Sequence, residues 1–161
     1  MLNIYYPNLE LIKSSVKNSW ASTSSNIYTG KIIYHITINA LERRGNFMGF
    51  NGRRIDEKVE GKILRKVWGD MQYLFPYCVF KDCCVKTDKF HGIILVDDRL
   101  YNSSNKIIAS AVEELKSRST KLINIIRMTF GRIFWENSFK QDVITSYTEL
   151  YGLVNFVWEY D

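Results

Sequence analysis

The apolar residues of this chain switch between two spacings, and this switching limits the folds that the chain can adopt. From Lys31 to Ala40, apolar and polar residues alternate as in a strand with one clearly apolar face. From about Arg54 to Leu74, apolar residues recur every three or four positions, which predicts a long amphipathic helix. Two strand-like segments follow, roughly Tyr77 to Lys86 and Phe90 to Asp97. The polar turn between them predicts a β-hairpin.

The second half of the chain shows the same two spacings. Asn102 to Asn105 is predicted to be a loop, and a helical stripe runs from Ile108 to Ile126. Gly131 is expected to break that helix, and Ile133 to about Ile144 is predicted to be extended. The pattern Ser146-Tyr147-Thr148-Glu149 is a capping box that opens a last helix. The predicted buried residues of this last helix are Leu150, Leu153, Val154 and Val157.

The order of elements is therefore strand, helix, strand, strand, helix, strand, helix. This order predicts an α+β fold, a ferredoxin-like two-layer sandwich in which helices pack on one face of an antiparallel sheet. Residues 1–30 are polar and rich in serine, and are predicted to form an N-terminal arm. Residues 31–161 are predicted to form a single domain, which suits a chain of 161 residues.

Composition narrows the class of partner. The chain has 22 Lys and Arg against 17 Asp and Glu, a net charge of +5, and 14% aromatic residues. Clustered cations favour a polyanion, and aromatic rings among cations can stack unpaired bases. The first residues lack the pattern of a signal peptide, and no apolar run is long enough to span a bilayer. The three cysteines cannot all pair within one chain, so we expect a reduced, cytoplasmic protein without a membrane partner.

Several segments resemble the small HUH tyrosine transposases, in particular the REP-associated branch. In that family a strand ends in two histidines that flank one hydrophobic residue, followed by Gly-Ile-Ile. This chain has Lys89-Phe90-His91-Gly92-Ile93-Ile94 at the matching place. Three further segments resemble the family in the same order: Tyr34 to Ile38 with Arg43, Arg44 and Phe47; Leu115 to Lys121; and Phe134 to Ile144 with the helix from Ser146.

The resemblance implies a reaction in which a tyrosine hydroxyl attacks a DNA phosphodiester while two histidines hold Mg²⁺ or Mn²⁺. The second histidine corresponds to His91, but the first corresponds to Lys89, whose ammonium group has no lone pair for a metal. The nucleophile corresponds to Phe156, which has no hydroxyl. We therefore expect no bound cofactor or divalent metal. The prediction is a transposase-like protein that binds single-stranded or hairpin DNA and has lost strand cleavage.

The residues leave alternatives open. Lys89 can hold a phosphate or be an ordinary solvated lysine, and His91 can be a metal ligand or a structural histidine. Its only possible histidine partner, His35, lies on a different predicted strand. Tyr160, four residues after Phe156, is a candidate substitute nucleophile, so an active transposase is one alternative. An RNA-binding α+β module is another. Both a monomer and a homodimer remain open.

Basic residues mark the predicted DNA-binding surface. Between Lys116 and Arg132 there are five basic residues and no acidic one, whereas an ordinary soluble surface mixes both signs. Arginines also cluster in the predicted loop before the first helix. The predicted DNA-binding residues are Arg43, Arg44, Arg53, Arg54, Lys116, Ser117, Arg118 and Lys121.

Overall fold

A computed structural model describes residues 30–41 and 47–159, and an antiparallel sheet lies at its centre. The strands of this sheet are β1 (Lys31–Asn39), β4 (Cys78–Val85), β5 (Lys89–Asp97) and β6 (Lys140–Ile144). A separate short hairpin consists of β2 (Met48–Phe50) and β3 (Ile55–Glu57). The helices are α1 (Val59–Leu74), α2 (Tyr101–Arg127) and α3 (Tyr147–Glu159).

The order of strands in the sheet confirms the predicted fold class. The order is β4-β5-β1-β6, and β1 is antiparallel to both of its neighbours. Helix α1 connects β1 to β4, a 3-10 turn (Asp98–Leu100) and α2 follow β5, and a loop then leads to β6. These connections give the two interlocked β-α-β units of a ferredoxin-like sandwich. The central position of β1 explains why its sequence has the strongest β-branched character.

Helices α1 and α2 pack on the first face of the sheet. Tyr34, Ile36 and Ile38 of β1 are buried in this core with residues of both helices. Gly92 of β5 lies directly under the indole ring of Trp68, and a Cβ atom at residue 92 would come within 2.4 Å of that ring. The Trp68 indole N–H donates a hydrogen bond to the Lys81 carbonyl at 2.6 Å, which fixes the ring in this position.

Helix α3 packs on the second face, so helices cover both faces rather than only one. Leu150, Val154 and Val157 of α3 are buried against Ile33 of β1 and Ile93 of β5. The two strands carry apolar residues on both faces at this end of the sheet, so a single helical layer would leave Ile33 and Ile93 exposed. The third helix therefore adds a layer to the predicted two-layer sandwich.

The first helix starts later than the sequence predicts. Residues 48–57 form the β2–β3 hairpin, and α1 begins at Val59 instead of about Arg54. The Asn51 side-chain oxygen accepts hydrogen bonds from the backbone N–H groups of Arg53 and Arg54 and so closes the turn. Ile55 has the spacing of a helical stripe with Val59 by coincidence, because it pairs with Phe50 across the hairpin.

Helix α2 is longer at its start than predicted. The segment Asn102 to Asn105, predicted to be a loop, lies within the first turns of α2. Asp97 accepts a hydrogen bond from the Arg99 N–H and caps the 3-10 turn that leads into α2, so the asparagines are not needed as caps. At the other end, Met128 adopts a left-handed conformation and ends the helix before Gly131. Only Lys140–Ile144 of the predicted extended stretch forms a strand.

The predicted start of α3 is confirmed by its hydrogen bonds. The Glu149 N–H donates to the Ser146 hydroxyl at 3.1 Å, and the Glu149 carboxylate accepts from the Thr145 N–H at 2.9 Å. The N-terminal arm predicted for residues 1–30 lies, except for Gly30, outside the described residues, and the division into arm and domain stays a prediction. Within residues 30–41 and 47–159, no helix is both long and apolar enough to cross a bilayer.

Candidate nucleic-acid interface

The second face of the sheet is apolar at one end and polar at the other. The apolar end carries Ile33 and Ile93 and is covered by α3. Toward the other end, the same face continues on β1 with His35 and Thr37 and on β5 with His91, because side chains two residues apart share a face. Thr37 lies directly opposite His91 in the strand register. This polar end is the candidate functional site.

The two histidines form one stacked pair. Their ring centroids are 5.3 Å apart at an interplanar angle of 13°, and His35 Nε2 lies 3.1 Å from His91 Nδ1. The Thr37 hydroxyl lies 3.1 Å from the same His91 nitrogen. The Asp142 carboxylate is 3.9 Å from His35 Nδ1 and favours a proton on that atom. With the proton on Nδ1, His35 Nε2 is the acceptor of a hydrogen bond from the Nδ1–H of His91.

The surroundings of the pair keep both histidines neutral. Burial lowers the pKa of His35, although Asp142 acts in the opposite direction. Burial, the adjacent His35 and the positive charges of Lys86 and Lys89 lower the pKa of His91 to about 3. A proton or metal cation at His91 would be repelled by the ammonium groups of Lys86 and Lys89. Residue spacing did not place His35 beside His91, because the two histidines are 56 residues apart in the chain and only the pairing of β1 with β5 brings them together.

Lys89 and Lys86 flank the turn between β4 and β5. The backbone N–H of Lys86 donates to the Lys89 carbonyl at 2.8 Å and closes this turn. Lys89 is two residues before His91, on the same face of β5, and is half-buried. Lys86 is buried, and both ammonium groups act electrostatically on His91. The site is therefore electropositive at the place where the resemblance expects a metal.

Phe156 lies in the last part of α3, close to this pair of strands. The Cys84 thiol is 3.7 Å from the Val157 carbonyl oxygen, and Cys84 lies opposite His91 in the strand register. The helix therefore ends beside the strands that carry the histidine. The Phe156 side chain is 70% exposed, so it does not serve as a core residue. Tyr160, the candidate substitute nucleophile, lies outside the described residues.

The residues at this site do not fit a divalent metal. Lys89 replaces one expected ligand, and the nitrogen of His91 that faces His35 already takes part in a hydrogen bond. Across the described part of the chain, no group of three or more His, Cys, Asp or Glu side chains is arranged to hold a metal ion. We therefore derive no metal-dependent step for this site.

Lys116 has a structural position that its sequence context did not predict. Its side chain is buried, and its ammonium group donates to the carbonyl oxygens of Glu136 and Asn137 at 2.9 Å and of Ser138 at 3.4 Å. Three carbonyl partners use all three N–H donors of an ammonium group. Lys116 thus fixes the loop before β6, and we do not include it in the candidate DNA-binding surface.

Two other cations of the basic stretch are paired with carboxylates that lie outside that stretch. Arg118 forms an ion pair with Glu114, one helical turn earlier. Arg127 pairs with the buried Glu60 of α1 at 2.6 Å. The window from Lys116 to Arg132 contains no acidic residue, but the fold brings acidic residues to it. The predicted excess of positive charge on this helix is therefore smaller than the sequence suggests.

A groove remains beside the second half of α2, on the side of the loop that leads to β6. It has a volume of about 460 Å³ and contains Ser117 and Lys121, two of the predicted DNA-binding residues. Arg132 and Thr120 also line it. Lys121 and Arg132 are exposed, so their charges are accessible from solvent. Hydroxyl and cationic groups along a groove are the donors that bind phosphate.

The arginines predicted before the first helix are only partly described. Arg53 and Arg54 lie exposed in the turn between β2 and β3, and Arg54 forms an ion pair with Asp56 at 2.7 Å. Arg43 and Arg44 lie outside the described residues. The predicted DNA-binding residues therefore fall into at least two separate places, the β2–β3 turn and the groove beside α2.

Comparison with known proteins supports the fold. The chain is an α+β protein with a four-stranded antiparallel sheet and helices packed on it. Its structure is similar to that of a REP-associated tyrosine transposase bound to a REP hairpin, with a TM-score of 0.56 and 14% sequence identity. The match covers 79% of this chain and 64% of that chain, so this chain spans less than two thirds of the transposase. No protein-family model and no curated protein matches the sequence. At this identity the likeness shows the fold alone.

Proposed function

We propose that this protein is transposase-like and binds single-stranded or hairpin DNA without cleaving it. The observation that carries the proposal is the electropositive site at Lys89 and His91, on a fold similar to that of a transposase bound to a REP hairpin. The motif resemblance and the similarity of the fold to that transposase both support the proposal.

The residues at the site favour binding over chemistry. Strand cleavage by this family needs a tyrosine hydroxyl as nucleophile and a metal that polarises the phosphate. Phe156 offers no hydroxyl, and Lys89 offers a positive charge in place of a metal ligand. An ammonium group can neutralise a phosphate oxygen but cannot replace the nucleophile. The site is therefore suited to hold a DNA phosphate and leave it intact.

The proposal is tested by separating binding from cleavage. A fluorescently labelled DNA hairpin with an unpaired flank is titrated with the protein, and the affinity is measured at several salt concentrations. We expect binding that weakens as salt rises, because bound cations release counterions from the DNA. Lys89→Ala should weaken binding and lower the salt slope by about 1. Lys66→Ala is a matched control, because Lys66 is exposed on α1 and paired with Asp70.

The same oligonucleotide tests for cleavage. Incubation with Mn²⁺ should yield no covalent protein–DNA adduct in a denaturing gel. An adduct that disappears in Tyr160→Phe would instead establish an active transposase with a relocated nucleophile. Salt-sensitive binding to RNA hairpins, with no binding to DNA hairpins, would establish the RNA-binding alternative. Light scattering of the free protein determines whether it is a monomer or a homodimer.

A further inference from the structure

The loop that follows α2 exposes several large apolar side chains. Phe130 is 79% exposed, Met128 is 82% exposed and Ile133 is 68% exposed. The next two residues, Phe134 and Trp135, are by contrast buried in the main core. Exposed and buried apolar residues therefore lie within a few positions of each other in this loop. Several large exposed apolar side chains within six residues make this loop a candidate binding surface.

Hydrogen bonds hold this loop in one conformation. The Thr129 N–H donates to the Asn124 carbonyl at 3.0 Å, and the side chain of Asn124 contacts the Thr129 hydroxyl at 3.0 Å. The Asn124 side-chain amide also donates to the Arg132 carbonyl at 3.0 Å. Phe130 lies between these anchored residues, on a loop whose backbone is fixed at both ends. Because the backbone of the loop is already ordered, binding a partner there costs less conformational entropy.

The residues that follow Phe130 lead into the groove beside α2. Gly131 and Arg132, the next two residues after Phe130, line the groove of about 460 Å³ beside α2, and Lys121 lines the same groove. Two carboxylates also border the groove, but each has a partner: Glu113 lies 3.6 Å from the ammonium group of Lys116, and Glu136 accepts a hydrogen bond from Asn39. Against these two carboxylates the groove is lined by Lys116, Lys121 and Arg132, so the net charge of its lining is positive.

We propose that Phe130 stacks on an unpaired base of DNA while Lys121 and Arg132 bind phosphates of the same strand. This inference rests on the proposed function and adds a specific site for the single-stranded part of the ligand. Aromatic rings beside cations bind single strands because every unpaired base presents a flat face and every nucleotide carries a phosphate. A base inside a duplex has no free face, so the contact selects unpaired nucleotides.

The charges argue against a second copy of the chain as the partner. A two-fold symmetric contact through this loop would bring the Lys121 and Arg132 side chains of both copies to the same interface. Like charges brought together at an interface oppose association. A strand of nucleic acid, in contrast, supplies the opposite charge at each nucleotide.

The test compares two DNA ligands that differ only in unpaired nucleotides. One is a blunt hairpin, and the other is the same hairpin with a flank of about six unpaired nucleotides that includes 2-aminopurine. We expect Phe130→Ser to weaken binding of the flanked hairpin by roughly 5- to 30-fold, and binding of the blunt hairpin by less than about twofold. The 2-aminopurine fluorescence should be quenched by the unchanged protein and much less by the variant. Phe130→Trp should retain the flank preference, because it keeps a stacking surface.

Tyr73→Ser is the matched control, because Tyr73 is an even more exposed aromatic residue, 86% exposed, on α1. It should change neither affinity. If Phe130→Ser binds both ligands as well as the unchanged protein, the inference is wrong and the proposed function stands. If the unchanged protein binds neither ligand nor an unpaired oligonucleotide, both fail. If Phe130→Ser converts a dimer to a monomer without altering the flank preference, the loop is a contact between two copies, and the inference is wrong.

Discussion

The two faces of the sheet differ in what lies on them. The first face packs against α1 and α2 and holds one large apolar core, including Ile36 and Trp68. The second face is apolar only where α3 covers Ile33 and Ile93, and then becomes polar with the His35–His91 pair. The first face can therefore supply most of the stability, while the second is free to carry charged and titratable groups. The predictions below test this division.

The largest expected effect is on the first face, at the contact between Gly92 and Trp68. Gly92→Ala places a methyl group within 2.4 Å of the indole ring, which is buried and held by its own hydrogen bond. We expect a loss of about 3 kcal/mol in the free energy of unfolding, measured by urea denaturation. Gly69→Ala is the control, because a Cβ there meets nothing within 4 Å and α1 should gain about 0.5 to 1 kcal/mol. An unchanged stability of Gly92→Ala would contradict the tight first face.

The next effect concerns the loop that joins α2 on the first face to β6. Lys116→Met removes the ammonium group that binds three carbonyl oxygens and should cost about 2 kcal/mol of unfolding free energy. Lys121→Met, five residues later on an exposed position, should change stability by less than about 0.5 kcal/mol. DNA affinity should fall more in Lys121→Met than in Lys116→Met, the reverse of the order expected for stability. A stability loss in Lys121→Met equal to that in Lys116→Met would mean that the two lysines do not differ in role.

A smaller effect is expected from acid on the second face. The pKa of His91 is lowered to about 3 in the folded protein, whereas an unfolded histidine has a pKa near 6.5. The unfolded state therefore binds a proton first as the pH falls, so the stabilisation present above about pH 6.5 is progressively lost toward pH 3. Between about pH 7.5 and pH 5.5 this histidine should account for a loss of about 1.4 kcal/mol.

The His91 contribution is measured against His91→Gln, which cannot titrate. Urea denaturation of both proteins at the two pH values measures it, together with any change in the titration of the adjacent His35. The variant should lose about 1.4 kcal/mol less than the unchanged protein. An equal loss in the two proteins would show that His91 is not kept neutral by its surroundings.

The smallest effect is at the start of α3. Ser146→Ala removes the hydroxyl that accepts the Glu149 N–H and should cost about 1 kcal/mol. Because α3 covers only part of one face, we expect faster amide hydrogen exchange within α3 and little change in β1 and β5. Uniformly faster exchange across the sheet would show that the two faces unfold as one unit.

The sequence predicted the fold well where local spacing decides structure. The alternation in β1, the β4–β5 hairpin and the capping box at Ser146 depend on neighbours within a few residues, and all three are confirmed. The predicted start of α1 was wrong, because Ile55 has a helical spacing to Val59 but pairs with Phe50 in the β2–β3 hairpin. Periodicity alone does not distinguish such a hairpin residue from the first turn of a helix.

The candidate site was predictable only in part. Lys89, His91 and Phe156 are found from the resemblance, because they occupy positions within short motifs. The resemblance does not identify the partner of His91, because His35 is 56 residues away and only the sheet register brings the two rings together. The charge of α2 was overestimated for the same reason, since Glu60 reaches Arg127 from another helix.

The sequence by itself thus determined the order of the helices and of the strands of the main sheet, and it has Lys89 and Phe156 where the resemblance expects a metal ligand and a nucleophile. These depend on residue identity and local spacing, which the chain carries before it folds. The tertiary structure decided which cations face solvent and which are hydrogen-bonded inside the protein. Lys116 is buried and donates to three carbonyl oxygens, whereas Lys121 is exposed in a groove. The physical reason is that the interaction between two charges depends on their distance in space, which the number of residues between them does not determine.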